Sequence, residues 1–139
     1  MANEFAALLS GIYNTYHEAA LRMGLNDAEL VTLYIIYGKG GECDKSEIYK
    51  KAGMTRMALS TSLSKLVKEE KVTLTRGEGK NVTVTFTEKG AAFANATVKK
   101  IIDIERDVIS TWDKQEREIF VKLSERYLEQ IRDKVQDIK

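Results

Sequence analysis

The change in the spacing of apolar residues at position 72 constrains the fold more than any other feature of this sequence. Before this point apolar residues recur three and four positions apart, as in amphipathic helices. The segments Val72–Thr75 and Val82–Phe86 instead alternate between apolar and polar residues, which is typical of strands. A polar stretch from Arg76 to Asn81 with two glycines joins them. The pattern therefore predicts a β-hairpin with an extended tip, inserted into a helical chain.

The remainder of the chain predicts helices, and no proline interrupts them. Capping-box patterns stand at three expected starts: Asn26 with Glu29, Asp44 with Glu47, and Asp113 with Glu116. Thr55 is a favourable N-cap for a fourth, and Thr87 opens another helix. The predicted helices span 4–23, 27–37, 45–51, 56–70, 88–109 and 114–135. The fold class is thus mainly α with a minor β part, and the apolar second helix is expected at the centre of the core.

The scarcity of histidine and cysteine excludes most catalytic and metal-binding chemistry. His17 and Cys43 are single residues of their types, so no disulfide framework, multi-cysteine zinc site or histidine pair can form within the chain. No nucleophile elbow, phosphate loop or dinucleotide fingerprint is present. Glu42 and Asp44 flank Cys43 and should raise its thiol pKa, so a packing role is favoured over redox sensing. We expect no enzyme activity, cofactor or metal.

The sequence also lacks a membrane span and a secretory leader pattern. The longest nearly apolar stretch, 30–37, falls far short of the roughly 20 residues that a spanning helix needs. The first four residues carry no basic group. A cytoplasmic protein without a membrane partner is therefore expected.

The formal net charge of +1 conceals an uneven distribution of charge. Residues 45–89 contain ten basic and five acidic side chains. In contrast, residues 1–44 contain two basic and six acidic side chains, and residues 101–139 contain eight basic and ten acidic ones. The basic excess coincides with a short helix, a tight turn at 52–54, a second helix and the hairpin. This arrangement predicts a helix-turn-helix whose second helix enters the major groove of double-stranded DNA.

The face of this second helix that lies opposite Leu59, Leu63 and Leu66 is the expected DNA-contacting surface. Small hydroxyl side chains there allow close approach and can bond bases or phosphates, and lysines suit phosphates. Arg76, Lys80 and Asn81 of the hairpin could reach the backbone or the adjacent minor groove. The predicted DNA-binding residues are Thr55, Arg56, Met57, Ser60, Thr61, Ser64, Lys65, Lys68, Arg76, Lys80 and Asn81.

This arrangement resembles the MarR family of winged helix-turn-helix transcription regulators over nearly the whole chain. The segment from Arg76 to Gly90 is the most specific match, because it is similar to the family's wing and the Leu-Thr-x-x-Gly pattern that follows it. Phe86 replaces the leucine, and Glu78 and Lys80 stand where the family has Asp and Arg. Lysine cannot form the planar fork of arginine, so weaker wing contacts are expected. Lys71 occupies the family's usual glycine position after the recognition helix, where a strained cap is expected.

The resemblance implies a single domain over 1–139, with dimerisation helices at 1–24 and 90–139 around a DNA-binding lobe at 27–89. It also implies a homodimeric regulator, usually a repressor, on pseudo-palindromic DNA. Release by small aromatic ligands is a further implication, for which Tyr13, Tyr16, Tyr34 and Tyr37 are candidate pocket residues, although core packing is the commoner role of such tyrosines. The long apolar stripes of the outer helices favour a two-fold dimer independently. The alternative is a winged-helix protein-interaction module without specific DNA binding.

Overall fold

The computed structural model of the protein describes residues 2–139. Seven helices and three strands occupy this part of the chain. In order they are α1 (Ala2–Arg22), α2 (Asp27–Gly38), β1 (Glu42–Asp44), α3 (Lys45–Lys51), α4 (Arg56–Lys68), β2 (Val72–Arg76), β3 (Val82–Phe86), α5 (Glu88–Ala96), α6 (Val98–Ser110) and α7 (Lys114–Val135). The chain forms two compact units, of which the first ends at Ile102 and the second spans Asp103–Lys139. The mainly α winged helix-turn-helix fold is confirmed.

The three strands form an antiparallel sheet with the order β1-β3-β2. The predicted hairpin is confirmed: Val72 pairs with Phe86 and Arg76 with Val82. Arg76 therefore ends β2 and does not belong to the tip. Strand β1 was not predicted; its central residue, Cys43, pairs with Val84 of β3. A three-residue strand bounded by glycines and charged residues carries too few alternations to be recognised from sequence.

Helix α2 lies at the centre of the core of the first unit, as its composition predicted. Leu33 and Ile36 are fully buried there together with Ile48 of α3, Leu59 of α4 and Val84 of β3. Burial of these branched side chains is the main stabilising contribution, because each removes apolar surface from water. The core thus joins α3, α4 and the hairpin to α2.

The helix caps agree with the sequence at four positions and disagree at one. Thr87 caps α5, since its hydroxyl accepts a hydrogen bond from Gly90 N. Asn26 and Asp113 both form complete capping boxes with Glu29 and Glu116, and the Thr55 hydroxyl accepts a hydrogen bond from Ala58 N. The Asp44 side chain, in contrast, makes no capping bond. Its backbone is engaged in the sheet with β3.

Glu47, the expected partner of Asp44, also takes part in other interactions. Its carboxylate lies 3.1 Å from Lys39 Nζ and 3.6 Å from Lys51 Nζ. The hydrogen bond from Lys39 lowers the pKa of Glu47. The predicted capping box at the start of α3 was therefore wrong, although the helix bounds were right.

The long helix predicted to follow Thr87 is interrupted at Thr97, which separates α5 from α6. The Thr97 hydroxyl donates to Phe93 O at 2.8 Å, and its backbone leaves the helical region. A threonine hydroxyl that bonds the preceding turn competes with the helical ladder and bends the chain. The apolar periodicity continues through this break, which is why the sequence predicted one helix.

Candidate nucleic-acid interface

The buried side of α4 determines which of its residues reach solvent. Leu59, Leu63 and Leu66 are buried, and Ser62 takes a buried position between them. Val67, next to this buried stripe, is 39% exposed. Because side chains on one face of a helix recur every three or four residues, anchoring these positions turns the hydroxyl-rich face outward.

All of the predicted DNA-binding residues are exposed. Met57, the apolar member of this set, has 80% of its surface accessible. Thr55 through Lys68 lie on or directly before α4, whereas Lys80 and Asn81 lie between the hairpin strands. The fold thus gathers the candidates on two elements of the same compact unit.

Lys65 differs from its neighbours because its ammonium group is bound within the chain. Nζ lies 3.0 Å from Glu29 Oε2, and the Glu29 side chain is 8% exposed. The other carboxylate oxygen of Glu29, Oε1, accepts a hydrogen bond from Asn26 N in the cap of α2. The hydrogen bond from Lys65 to this carboxylate raises the pKa of Lys65. Lys65 therefore ties the recognition helix to the central helix.

The turn after α4 fixes the start of the wing. Lys71 N bonds Leu66 O at 2.9 Å and Glu70 N bonds Val67 O at 3.0 Å, which is a Schellman motif. Its left-handed position, with φ of 60°, is Glu70. The strained residue is thus Glu70 and not Lys71, which was expected to carry the strain. Lys71 instead places its ammonium 3.6 Å from the centre of the Phe93 ring.

Thr87 and Gly90 hold α5 against this turn. The Thr87 hydroxyl donates to Glu70 O at 2.6 Å and accepts from Gly90 N at 3.0 Å. A Cβ built on Gly90 would meet Lys71 O at 1.8 Å. The Thr-x-x-Gly pattern after the wing is therefore a cap combined with a close backbone approach, and both depend on these two residue types.

A basic groove, which the sequence did not predict, separates α3 from the wing. It has a volume of about 600 Å³ and is open to solvent. Its lining residues are Lys45, Ser46, Tyr49, Lys50, Arg56, Lys80, Asn81 and Val82. Arg56 lies over the Tyr49 ring, 4.8 Å from its centre. The signal that could have indicated it is the lysine-rich composition of the short helix.

A second groove lies between α1, α2 and the turn before α4. Its volume is about 560 Å³, and its wall includes Tyr13, Tyr16, Leu30, Met54 and Thr55. Tyr37 lines a different groove, and Tyr34 packs against the core. Two of the four candidate tyrosines therefore share one pocket, which also reaches the residue that caps the recognition helix.

His17, the single histidine, lies at this second groove beside Asp27. Its Nδ1 is 2.8 Å from Asp27 Oδ1, and the Tyr13 hydroxyl donates to Asp27 Oδ2 at 3.2 Å. This hydrogen bond raises the pKa of the Tyr13 phenol. The pocket wall thus carries an imidazole and a phenol that share one carboxylate.

Cys43 is buried in β1 as a free thiol. Burial raises its pKa, and the nearby carboxylates of Glu47 and Asp44 raise it further. A raised pKa and poor access both disfavour a reactive thiolate. The packing role expected from the flanking acids agrees with this environment.

The outer helices expose apolar surface in each unit. On α1, Leu8 and Ile12 are 64% and 50% exposed, and Ala20 is its sole buried residue among those described. None of the described residues of α7 is buried, although Ile119, Leu123 and Ile131 recur on one side of the helix. A stripe of this kind is typical of a helix that packs against a partner.

Among the solved structures with a similar fold are several regulators of transcription. A MarR family regulator from Neisseria meningitidis has a TM-score of 0.85 and 16% identity, over 99% of this chain and 97% of that one. MepR from S. aureus in its DNA-binding conformation has a TM-score of 0.75 and 14% identity, over 94% and 97%. BpsR from Bordetella bronchiseptica, whose DNA binding is regulated by 6-hydroxynicotinic acid, has a TM-score of 0.65 and 18% identity, over 89% and 98%. No family model and no curated protein matches the sequence.

The chain therefore has the winged-helix fold of these MarR regulators. None of the described helices is long and apolar enough to cross a membrane. Within residues 2–139, no group of three or more histidine, cysteine, aspartate and glutamate side chains could hold a metal ion.

Proposed function

We propose that this protein is a cytoplasmic, sequence-specific DNA-binding transcription regulator, and not an enzyme. It acts as a homodimer that represses transcription from a pseudo-palindromic operator. The recognition helix α4 reads the major groove, and the wing between β2 and β3 contacts the backbone or the adjacent minor groove. The fold shared with solved MarR regulators supports this proposal.

The observation that carries the proposal is the exposed face of α4. Thr61 and Ser64 present hydroxyls there, and Arg56 and Lys68 add positive charge. The small polar residues at the centre of the face are suited to contacts with bases. The cations nearer its ends are suited to contacts with the flanking phosphates. Lys65 contributes indirectly in this proposal, since its bond to Glu29 orients the helix.

A dimer is required because a single recognition helix covers one half-site. Two-fold symmetry of the protein then matches two half-sites that lie about one turn of DNA apart. The apolar stripes on α1 and α7 support this assignment because each is too exposed for an isolated chain. We assign both stripes to contacts between two copies.

Regulation by a small aromatic ligand forms part of the proposal. The groove that contains Tyr13 and Tyr16 could hold a flat ring, and His17 could bind an acidic or phenolic group. Thr55 also lines this groove and caps α4. A ligand that bound more tightly to one conformation of Thr55 and the start of α4 would shift the recognition helix toward that conformation. A shift of this kind would weaken DNA binding.

A binding experiment tests the proposed function. Purified protein would be titrated into fluorescent duplexes that tile the DNA around its own coding region, at several salt concentrations. One duplex with an inverted repeat should bind at least about a thousandfold more tightly than random DNA, with a steep salt dependence. Thr61→Val or Ser64→Val should change sequence preference, whereas Lys68→Ala should weaken binding to all sequences alike. Equal binding to every duplex would overturn specific regulation, and no binding even at low salt would overturn DNA binding itself.

A further inference from the structure

The basic groove between α3 and the wing has a composition suited to a polyanion. Lys45, Lys50, Arg56 and Lys80 line it, and none of its described lining residues is acidic. Glu47, the acid on the same short helix, binds Lys39 and Lys51 instead. The positive charge of the groove is therefore not neutralised by a carboxylate in its wall.

Tyr49 connects two of these cations. Its half-buried ring packs against the core, and its face receives Arg56 at 4.8 Å and Lys45 at 5.7 Å from the ring centre. A cation held over an aromatic face loses less side-chain freedom when it later binds a phosphate. Tyr49 thus fixes the direction of Arg56 before any ligand arrives.

We propose that this groove is a DNA-backbone site in which Lys45, Lys50 and Arg56 bind phosphates and Tyr49 is the positioning residue for Arg56. The inference rests on the proposed DNA-binding function. The first helix of a helix-turn-helix generally lies across the DNA backbone, and the new element is the positioning of Arg56 by Tyr49. Its open shape, bounded by α3, α4 and the wing, suits a continuous backbone more than one small anion. The DNA strand that enters the groove would leave α4 free to lie in the adjacent major groove.

Neighbouring lysines on α3 provide a matched test of the phosphate contacts. Lys50 lines the groove, whereas Lys51 is paired with Glu47. With a labelled random-sequence duplex of about 30 base pairs, Lys50→Gln should lower affinity roughly three- to tenfold and reduce the salt slope by about one. Lys51→Gln should leave the slope unchanged. Equal effects of the two substitutions would overturn the site.

The role of Tyr49 needs a readout that simple loss of packing would not give. Tyr49→Leu should weaken duplex binding roughly three- to tenfold, and Tyr49→Phe should restore it, because the ring face is retained. In an Arg56→Gln background, Tyr49→Leu should have no further effect on affinity. Circular dichroism and thermal unfolding would verify that each variant is folded.

The outcomes separate this inference from the proposed function. The unaltered protein is assumed here to bind duplex DNA. If Tyr49→Leu then lowers the affinity by the same factor in the Arg56→Gln variant as in the unaltered protein, Tyr49 does not position Arg56. If Tyr49→Phe binds duplex DNA as weakly as Tyr49→Leu, the aromatic ring face does not determine the affinity. Failure of the unaltered protein to bind any duplex would overturn the proposed function together with this site.

Discussion

Lys65 Nζ lies 3.0 Å from Glu29 Oε2, so a lysine on the outward side of the recognition helix is bound to a nearly buried carboxylate of the central helix. The same carboxylate completes the cap of α2 through Asn26. One ion pair therefore joins the start of α2 to the last turn of α4.

Glu29→Gln is expected to lower the midpoint of thermal unfolding by roughly 3–6 °C. The amide can still accept the bond from Asn26, but it cannot attract Lys65. Lys65→Met should lower the midpoint further, because a buried charge is left without its partner. Lys68→Met, on the same exposed helix face, provides the control and should change the midpoint little. Equal midpoints for all these variants would mean that the pair contributes nothing to stability.

The ion pair also predicts how stability changes at alkaline pH. Lys65 has a raised pKa in the folded protein, so its contribution is fully present below the unfolded lysine pKa of about 10.4. The contribution is lost as the pH rises through the higher folded value. The difference in denaturant midpoint between the unaltered protein and Glu29→Gln should therefore narrow as the pH rises above about 10.4. A difference that stays constant to higher pH would contradict this assignment.

Gly90→Ala should destabilise the protein by about 3 kcal/mol or more, since the added methyl group would overlap the backbone carbonyl of Lys71. Backbone atoms cannot move aside as the end of a side chain can. Gly11→Ala is the matched control, because nothing lies within 4 Å of its added Cβ in the helix α1. It should stabilise the protein by about 0.5–1 kcal/mol. Chemical denaturation measures both, and a tolerated Gly90→Ala would refute the close approach.

Glu70→Gly should stabilise the protein by about 0.5–1 kcal/mol, because glycine adopts the left-handed conformation without a steric penalty. Lys68→Gly, two residues earlier and still helical, should instead cost about 1 kcal/mol. Denaturant midpoints of the two variants should therefore move in opposite directions. A loss of stability in Glu70→Gly would show that the side chain of Glu70 matters more than its backbone strain.

Leu123→Glu is expected to convert the proposed dimer into monomers, because it places a charge in the apolar stripe of α7. Val121→Glu is the control: two residues away, it points about 160° from Leu123 around the helix. Sedimentation equilibrium at micromolar concentration would distinguish the two variants. If Val121→Glu dissociates the protein and Leu123→Glu does not, the interface lies on the other face of the helix.

Local patterns in the sequence predicted most of the fold correctly. The alternation in 72–75 and 82–86 predicted the hairpin, and Asn26, Thr55 and Asp113 marked helix starts that the structure confirms. These signals depend on neighbours within a few positions, which a single sequence displays directly. Strand β1 and the break at Thr97 were missed, because one depends on pairing with a distant strand and the other on the backbone around one hydroxyl.

The sequence by itself determined the hairpin and most of the helices around it, the basic segment and the outward face of α4. Periodicity assigns residues to faces of a helix, and charge can be counted directly. Only the tertiary structure decided the partners of those residues: Lys65 with Glu29, Arg56 with Tyr49, and Gly90 with the carbonyl of Lys71. Such contacts join residues of different segments of the chain, and their geometry follows from packing around a shared core.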